Sequence, residues 1–274
     1  MEKSKKVVSV IVPVYKKEAT IISDIDSIYK ALDSSRWSFE IIPVIDGFVD
    51  RSYENALKIK YPEVKVVGYK TNRGKGYAVR YGMAQATGDY IAFIDAGMDI
   101  NPNGISLILE HMEWYRADII VGSKRHPASK VKYSALRRIY SFCYQMLVFL
   151  LFRLKIRDTQ VGLKVYRREV LERVLPRLVV KTFAFDIELL AVSNRLGFTR
   201  LYEAPVEVAL DFSSSSFNLR KPMFLDPQIR NILYDTIAVF YRMHFLKYYD
   251  DENRIKWVYD KELQMRVNTG EILE

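Results

Sequence analysis

Val7-Val-Ser-Val-Ile-Val-Pro13-Val14-Tyr15 is a nearly continuous β-branched run closed by a tyrosine, and its reading decides the fold. A run of this length and composition is a buried strand. The polar segment after it carries Ile21, Ile25, Ile28 and Leu32 at helical spacing, so a helix follows. The unit then recurs. Phe39 to Ile45 reads as a strand, Tyr53 to Lys60 as a helix, Val64 to Tyr69 as a strand, Gly76 to Ala86 as a helix, and Tyr90 to Ile94 and Ile119 to Gly122 as further strands. Strands alternating with helices predict an α/β fold with a mostly parallel central sheet flanked by helices. Ligands of such sheets bind beyond the carboxyl ends of the strands, so Tyr15, Asp46, Asn72 and Asp95 are expected to converge at one edge.

The composition supports a packed protein, because 49% of the 274 residues are apolar, and whole-chain disorder is excluded. Lysine and arginine outnumber the acids 42 to 33, giving +9, which suits an anionic partner: a nucleotide, a phosphorylated lipid or an acidic membrane surface. Nucleic acid is disfavoured, since no DNA- or RNA-binding motif is present and the basic residues are scattered. The single cysteine, Cys143, excludes an internal disulfide framework and fits a reducing compartment. A charged start runs straight into the first strand without a leader pattern, so the mature chain is expected to begin near Met1. The most apolar stretch, Ile139 to Phe152, contains Ser141 and Gln145 and is shorter than the roughly 20 residues a membrane span needs.

Beyond the strand at Ile119 the pattern changes. Leu136, Ile139, Tyr140, Cys143, Leu147, Leu150 and Leu154 fall at helical spacing, predicting an amphipathic helix over about 133–155. Ile229, Ile232, Leu233, Ile237, Phe240 and Met243 form a second stripe near the C-terminus. Residues 1–212 are thus expected to form the α/β domain and 213–274 a C-terminal amphipathic helical segment. The two helices suit either core packing or a membrane surface.

Two motifs carry chemistry. Tyr90-Ile-Ala-Phe-Ile-Asp95-Ala-Gly-Met-Asp99 places two carboxylates at the end of a buried strand, where they suit Mg²⁺ or Mn²⁺ against a diphosphate, although Asp99 equally suits a helix cap. Asn72-Arg-Gly-Lys-Gly76 precedes a helix, and Gly74 and Gly76 would let an anion approach that helix start.

These segments resemble family 2 glycosyltransferases. The resemblance is carried by Val10 to Tyr15 with Glu18, Asp46-Gly47 with Asp50, Asn72 to Arg80, Ala86-Thr-Gly-Asp-Tyr90 and Phe93-Ile-Asp95-Ala96. Within that family the chain is similar to the synthases that load a hexose onto dolichyl phosphate, especially the dolichyl-phosphate β-glucosyltransferases. The residues here are Gly122-Ser-Lys-Arg-His126, Leu136-Arg-Arg138, Asp158 to Lys164, Phe185 to Leu190 and Ala204 to Val208. The chain departs from the family at Ile45, where many relatives have an acid, and at Gly97, where they have the second acid of Asp-X-Asp.

The resemblance implies a GT-A fold and an inverting hexosyltransferase acting on a nucleotide sugar. UDP-glucose is the expected donor and a polyprenyl or dolichyl phosphate the expected acceptor, with Mg²⁺ or Mn²⁺ as cofactor. It implies a protein bound peripherally at the cytoplasmic face of a membrane, its amphipathic helices on the surface. Pro13, Tyr15, Glu18, Asp46, Lys75, Asp95 and Ala96 would hold the nucleotide sugar, and Asp95 and Asp99 the metal. Arg125, Arg137 and Arg138 would bind the acceptor phosphate. Asp95, Arg125, Asp158 and Gln160 would serve catalysis, with Asp186 and Glu188 lining the sugar pocket. Another donor (GDP-mannose or UDP-GlcNAc), a soluble acceptor, or a non-catalytic nucleotide-binding module are the alternatives.

Overall fold

A computed structural model describes residues 4–97, 99–129, 135–208 and 227–268, without the side chains of 135–140 and 227–228. The opening run is strand β1 (Val7–Val14), followed by α1 (Ile21–Asp33), β2 (Ser38–Asp46), α2 (Ser52–Ala56) and β3 (Val67–Tyr69). Then come α3 (Lys75–Gln85), β4 (Tyr90–Ile94), α4 (Gly104–Trp114), β5 (Ile119–Ser123) and α5 (Ala135–Phe152). β6 (Leu163–Arg167), α6 (Arg168–Val174), α7 (Phe185–Arg195) and β7 (Leu201–Pro205) complete the large sheet and its cover. The remainder is α8 (Pro227–His244) and a hairpin of β8 (Val258–Asp260) and β9 (Met265–Val267).

The sheet runs β3-β2-β1-β4-β6-β5-β7. All neighbours are parallel except β6, which pairs antiparallel with both β4 and β5. β1 lies inside the sheet with Val8, Val10, Ile11, Val12 and Val14 fully buried, which is why its run is unbroken by polar alternation. The expected mostly parallel sheet flanked by helices is therefore observed.

Two strands of the large sheet were not foreseen. β6 has Lys164 in its middle, and a charged residue in an apolar run argues against a buried strand from sequence. Here Lys164 is fully buried and its ammonium is paired with Asp186 at 2.6 Å. β7 is an edge strand with an exposed Tyr202 and a terminal proline, so its pattern is weak.

The C-terminal segment contains the helix α8 and, beyond the expected helical pattern, a hairpin, and its described residues are knitted into the body. Tyr144 of α5 hydrogen-bonds Thr236 of α8 at 3.0 Å. Arg177 donates to the Tyr249 carbonyl at 2.8 Å, and Asn268 N–H donates to the Pro176 carbonyl at 2.8 Å. The two long helices each bury one face. Val148 and Phe152 of α5 and Val239 and Met243 of α8 point inward, while Phe142, Phe149, Leu150, Tyr234, Tyr241 and Phe245 are exposed. Ile237, on the expected apolar stripe of α8, is also exposed.

Candidate active site at the strand ends

Asp46, the last residue of β2, is buried and its carboxylate is fully engaged. It accepts the Tyr69 hydroxyl at 2.9 Å, the Asn72 amide at 3.0 Å, and the backbone N–H groups of Arg73 and Gly74 at 2.7 and 3.0 Å. Four donors use the acceptor capacity of a carboxylate. Asp46, expected at the nucleotide, therefore shapes the 72–74 turn from below. The anion-binding expectation for Gly74 and Gly76 is corrected likewise. The N–H groups of Gly76 and Tyr77 meet the carbonyl of Lys181, at 3.0 and 3.4 Å. A Cβ on Gly74 would lie 2.6 Å from that oxygen, so the glycine admits a neighbouring backbone instead of a phosphate.

What the turn presents outward is Lys75. Its Nζ lies 2.7 Å from Asp95 Oδ1 and 2.9 Å from Oδ2. Burial works to lower the Lys75 pKa, but the Asp95 and Asp186 carboxylates outweigh it and hold the ammonium above its ordinary value. Phe93 of β4 lies between two ammonium groups, with Lys75 Nζ 5.6 Å and Lys164 Nζ 4.9 Å from its ring centre. Lys164 is pulled down by burial, against the pull of Asp186.

Asp95 is fixed from the β6 side. Its N–H donates to the Gly162 carbonyl at 3.0 Å, and a Cβ on Gly162 would lie 2.2 Å from Asp95 Oδ2. Gly162 is thus the floor of the carboxylate's seat. Sequence reasoning quoted it inside the Asp158 to Lys164 motif without giving it a role.

The end of β1 opens on a cleft of about 400 Å³ lined by Lys16, Lys17, Glu18, Ala19, Thr20 and Asp50. Tyr15 is exposed beside it, with Lys16 Nζ 5.3 Å from its ring centre. Pro13 is half-buried within β1, and Ala96 packs against the core. Glu18 accepts the Arg51 N–H at 3.1 Å, while Asp50 accepts the N–H groups of Glu18 at 3.3 Å and Ser52 at 3.0 Å. These bonds clip the loops after β1 and β2 together around the cleft.

The second half of the site lies at the end of β5. Asp158 accepts the Lys124 N–H at 3.0 Å, and its own N–H donates to Glu203 at 3.1 Å. The Arg125 guanidinium hydrogen-bonds Gln145 of α5. Gln160 Nε2 is buried and has no partner among the described residues. Arg137 and Arg138 start α5, and their side chains lie outside the described residues. Asp186 and Glu188 do not line a pocket. Asp186 pairs with Lys164, and Glu188 accepts the Val179 and Val180 N–H groups and the Tyr249 hydroxyl, the last at 2.8 Å.

Of the expected metal pair, Asp99 is exposed and Asp95 is paired with Lys75. No three His, Cys, Asp or Glu side chains among the described residues are clustered to hold an ion.

Acids and lysines at the ends of parallel strands, beside an antiparallel β6, define the GT-A class of α/β architecture. The glucosyl-3-phosphoglycerate synthase of Mycobacterium tuberculosis, solved with Mn²⁺, UDP and phosphoglyceric acid, shares the fold. It has a TM-score of 0.61 and 21% identity over 86% of this chain and 79% of that one. Residues 9–175 match the family described as glycosyl transferase family 2, and the chain belongs to it. A dolichyl-phosphate beta-glucosyltransferase of Dictyostelium discoideum is 31% identical, over 69% of this chain and 62% of its own length. The Drosophila melanogaster protein of that name is 33% identical, over 69% of this chain and 63% of its own. The matches thus span less than two thirds of these relatives. Among the described residues no helix is long and apolar enough to cross a membrane.

Proposed function

We propose that this chain transfers glucose from UDP-glucose to dolichyl phosphate or a related polyprenyl phosphate, inverting the anomeric centre. One observation carries the reading: the family match over 9–175 contains both halves of the site, the Lys75–Asp95 pair and the Arg125, Asp158, Gln160 group. The donor and acceptor follow from what the similar proteins of Dictyostelium and Drosophila are called.

The nucleotide lies in the cleft after β1, against Tyr15, Lys16 and Glu18, with its diphosphate toward Lys75. Asp95, held on Gly162, keeps Lys75 pointed there. The incoming lipid phosphate needs no strong general base, because its second pKa is about 6 and it is largely ionised at neutral pH. Positioning is the main task, and Arg125 suits it because a guanidinium binds phosphate oxygens at two points. Arg137 and Arg138 are the further candidates on α5. Asp158 and the unpartnered Gln160 amide face the sugar hydroxyls. The phosphate oxygen attacks the anomeric carbon from the side opposite UDP as the bond to the β-phosphate breaks. One displacement gives a β-linked lipid product.

An Mg²⁺ or Mn²⁺ cofactor draws support from the Mn²⁺ in the related structure. The residues at the end of β4 fit a resident dication poorly, however, because the Lys75 ammonium is already ion-paired with Asp95. The exposed aromatic faces of α5 and α8 and the net charge of +9 support peripheral attachment at the anionic, cytoplasmic face of a membrane.

Incubation with radiolabelled UDP-glucose and dolichyl phosphate in detergent tests the reaction. Label is expected in the organic phase as a β-glucosyl lipid. Binding of UDP without labelled lipid overturns the acceptor assignment.

A further inference from the structure

At the turn that follows β4, a cation stands where a second acid would be expected. Gly97 lies two residues past Asp95 in the left-handed region, with φ at +109°, a conformation that suits glycine. A Cβ built there would lie 2.7 Å from Lys17 Nζ, so the ammonium fills the space in which a side chain at position 97 would begin. The arrangement is anchored from inside. Asp24 of α1 is buried, accepts the Thr20 hydroxyl at 3.0 Å, and attracts Lys17. The Lys17 backbone is held by its N–H to Ser52 Oγ at 2.8 Å.

Lys17 also lines the cleft after β1. Lys75 is ion-paired with Asp95, hydrogen-bonding Oδ2 while Oδ1 has no hydrogen-bond partner among the described residues, and Lys17 Nζ stands over Gly97, so the turn 95–97 is flanked by two ammonium groups. A dication entering there meets two like charges beside a carboxylate already paired with an ammonium. A diphosphate meets two donors that bind phosphate as point charges.

We propose that Lys17, together with Lys75, faces the donor's diphosphate in place of a divalent cation, so that this chain binds its nucleotide sugar without metal. The proposal rests on the nucleotide-sugar reading above.

Calorimetric titration of the full chain with UDP-glucose, in EDTA and again with excess MnCl₂ or MgCl₂, tests it. The dissociation constant is expected to agree within about twofold across these conditions. Lys17→Ala is expected to weaken binding by roughly tenfold, about 1.4 kcal/mol, with Lys17→Arg retaining most of the affinity. A wild-type chain that binds only with metal, or at least roughly tenfold tighter with it, overturns the proposal. So does Lys17→Ala that binds in EDTA as tightly as wild type. Should Lys17→Ala not fold, judged by its melting curve, the wild-type comparison and Lys17→Gln decide. Absence of UDP and UDP-glucose binding in every condition instead overturns the nucleotide-sugar reading, and the proposal with it.

Discussion

Gly162 and Asp95 show how narrowly one side chain is placed. Gly162 is outside the left-handed region, so alanine fits its backbone, but the new methyl would meet Asp95 Oδ2. Gly162→Ala is therefore expected to move the carboxylate and Lys75 with it. Since about 1 Å of misplacement can cost on the order of a hundredfold in rate, kcat/KM should fall by roughly that factor while the melting temperature changes little. Steady-state kinetics beside a melting curve check this, and unchanged kinetics would remove Gly162 from the site. At this scale the sequence was legible where a residue's type limits its use. Asp95 stood out as an acid ending a buried strand. Lys17 did not, because nothing local marks a lysine whose ammonium reaches a glycine 80 residues away. Asp46, Asp186 and Glu188 were expected at the nucleotide sugar, and their carboxylates are engaged by protein groups, which only the tertiary contacts could reveal.

Among the elements, β1, β2 and α3 are held near the turn before β4 by Glu40. Its carboxylate accepts the Ser9 hydroxyl at 2.6 Å and the N–H and hydroxyl of Thr87 at 2.7 and 2.8 Å. Burial works to raise its pKa, but those three donors outweigh it and hold the group below its ordinary 4.5. A carboxyl depressed in the folded state stabilises above its unfolded pKa, and that contribution is lost as pH falls through the folded value. Wild type should therefore exceed Glu40→Gln in melting temperature at pH 7, with the gap closing between about pH 5 and pH 2. A gap that stays constant across that range contradicts the assignment. Element type was legible wherever apolar periodicity was undisturbed, as in β1, α1 and β4. It failed at β6, where the buried Lys164–Asp186 pair interrupts the pattern, and at the C-terminal hairpin. That hairpin docks through Glu262, which binds Arg73 and accepts the Tyr77 hydroxyl at 2.6 Å, and long-range pairs of this kind leave no local signal.

The whole molecule joins a cleft after β1, a cationic strand-end turn and two helices with exposed aromatic faces. Flotation with anionic liposomes tests the last of these. The protein should rise with the vesicles at low salt, and replacing Tyr234, Tyr241 and Phe245 together by serine should leave most of it at the bottom of the gradient. Equal flotation of both proteins would point to another attachment surface. Central to the proposal is that lysines beside Asp95 and Asp24 receive a sugar nucleotide's diphosphate at the ends of β1 and β4. A crystal structure with UDP-glucose tests it most directly. The account predicts diphosphate oxygens within hydrogen-bond distance of Lys75 and Lys17, with uracil in the cleft beside Tyr15. A nucleotide bound elsewhere, or a diphosphate turned away from both lysines, would contradict it.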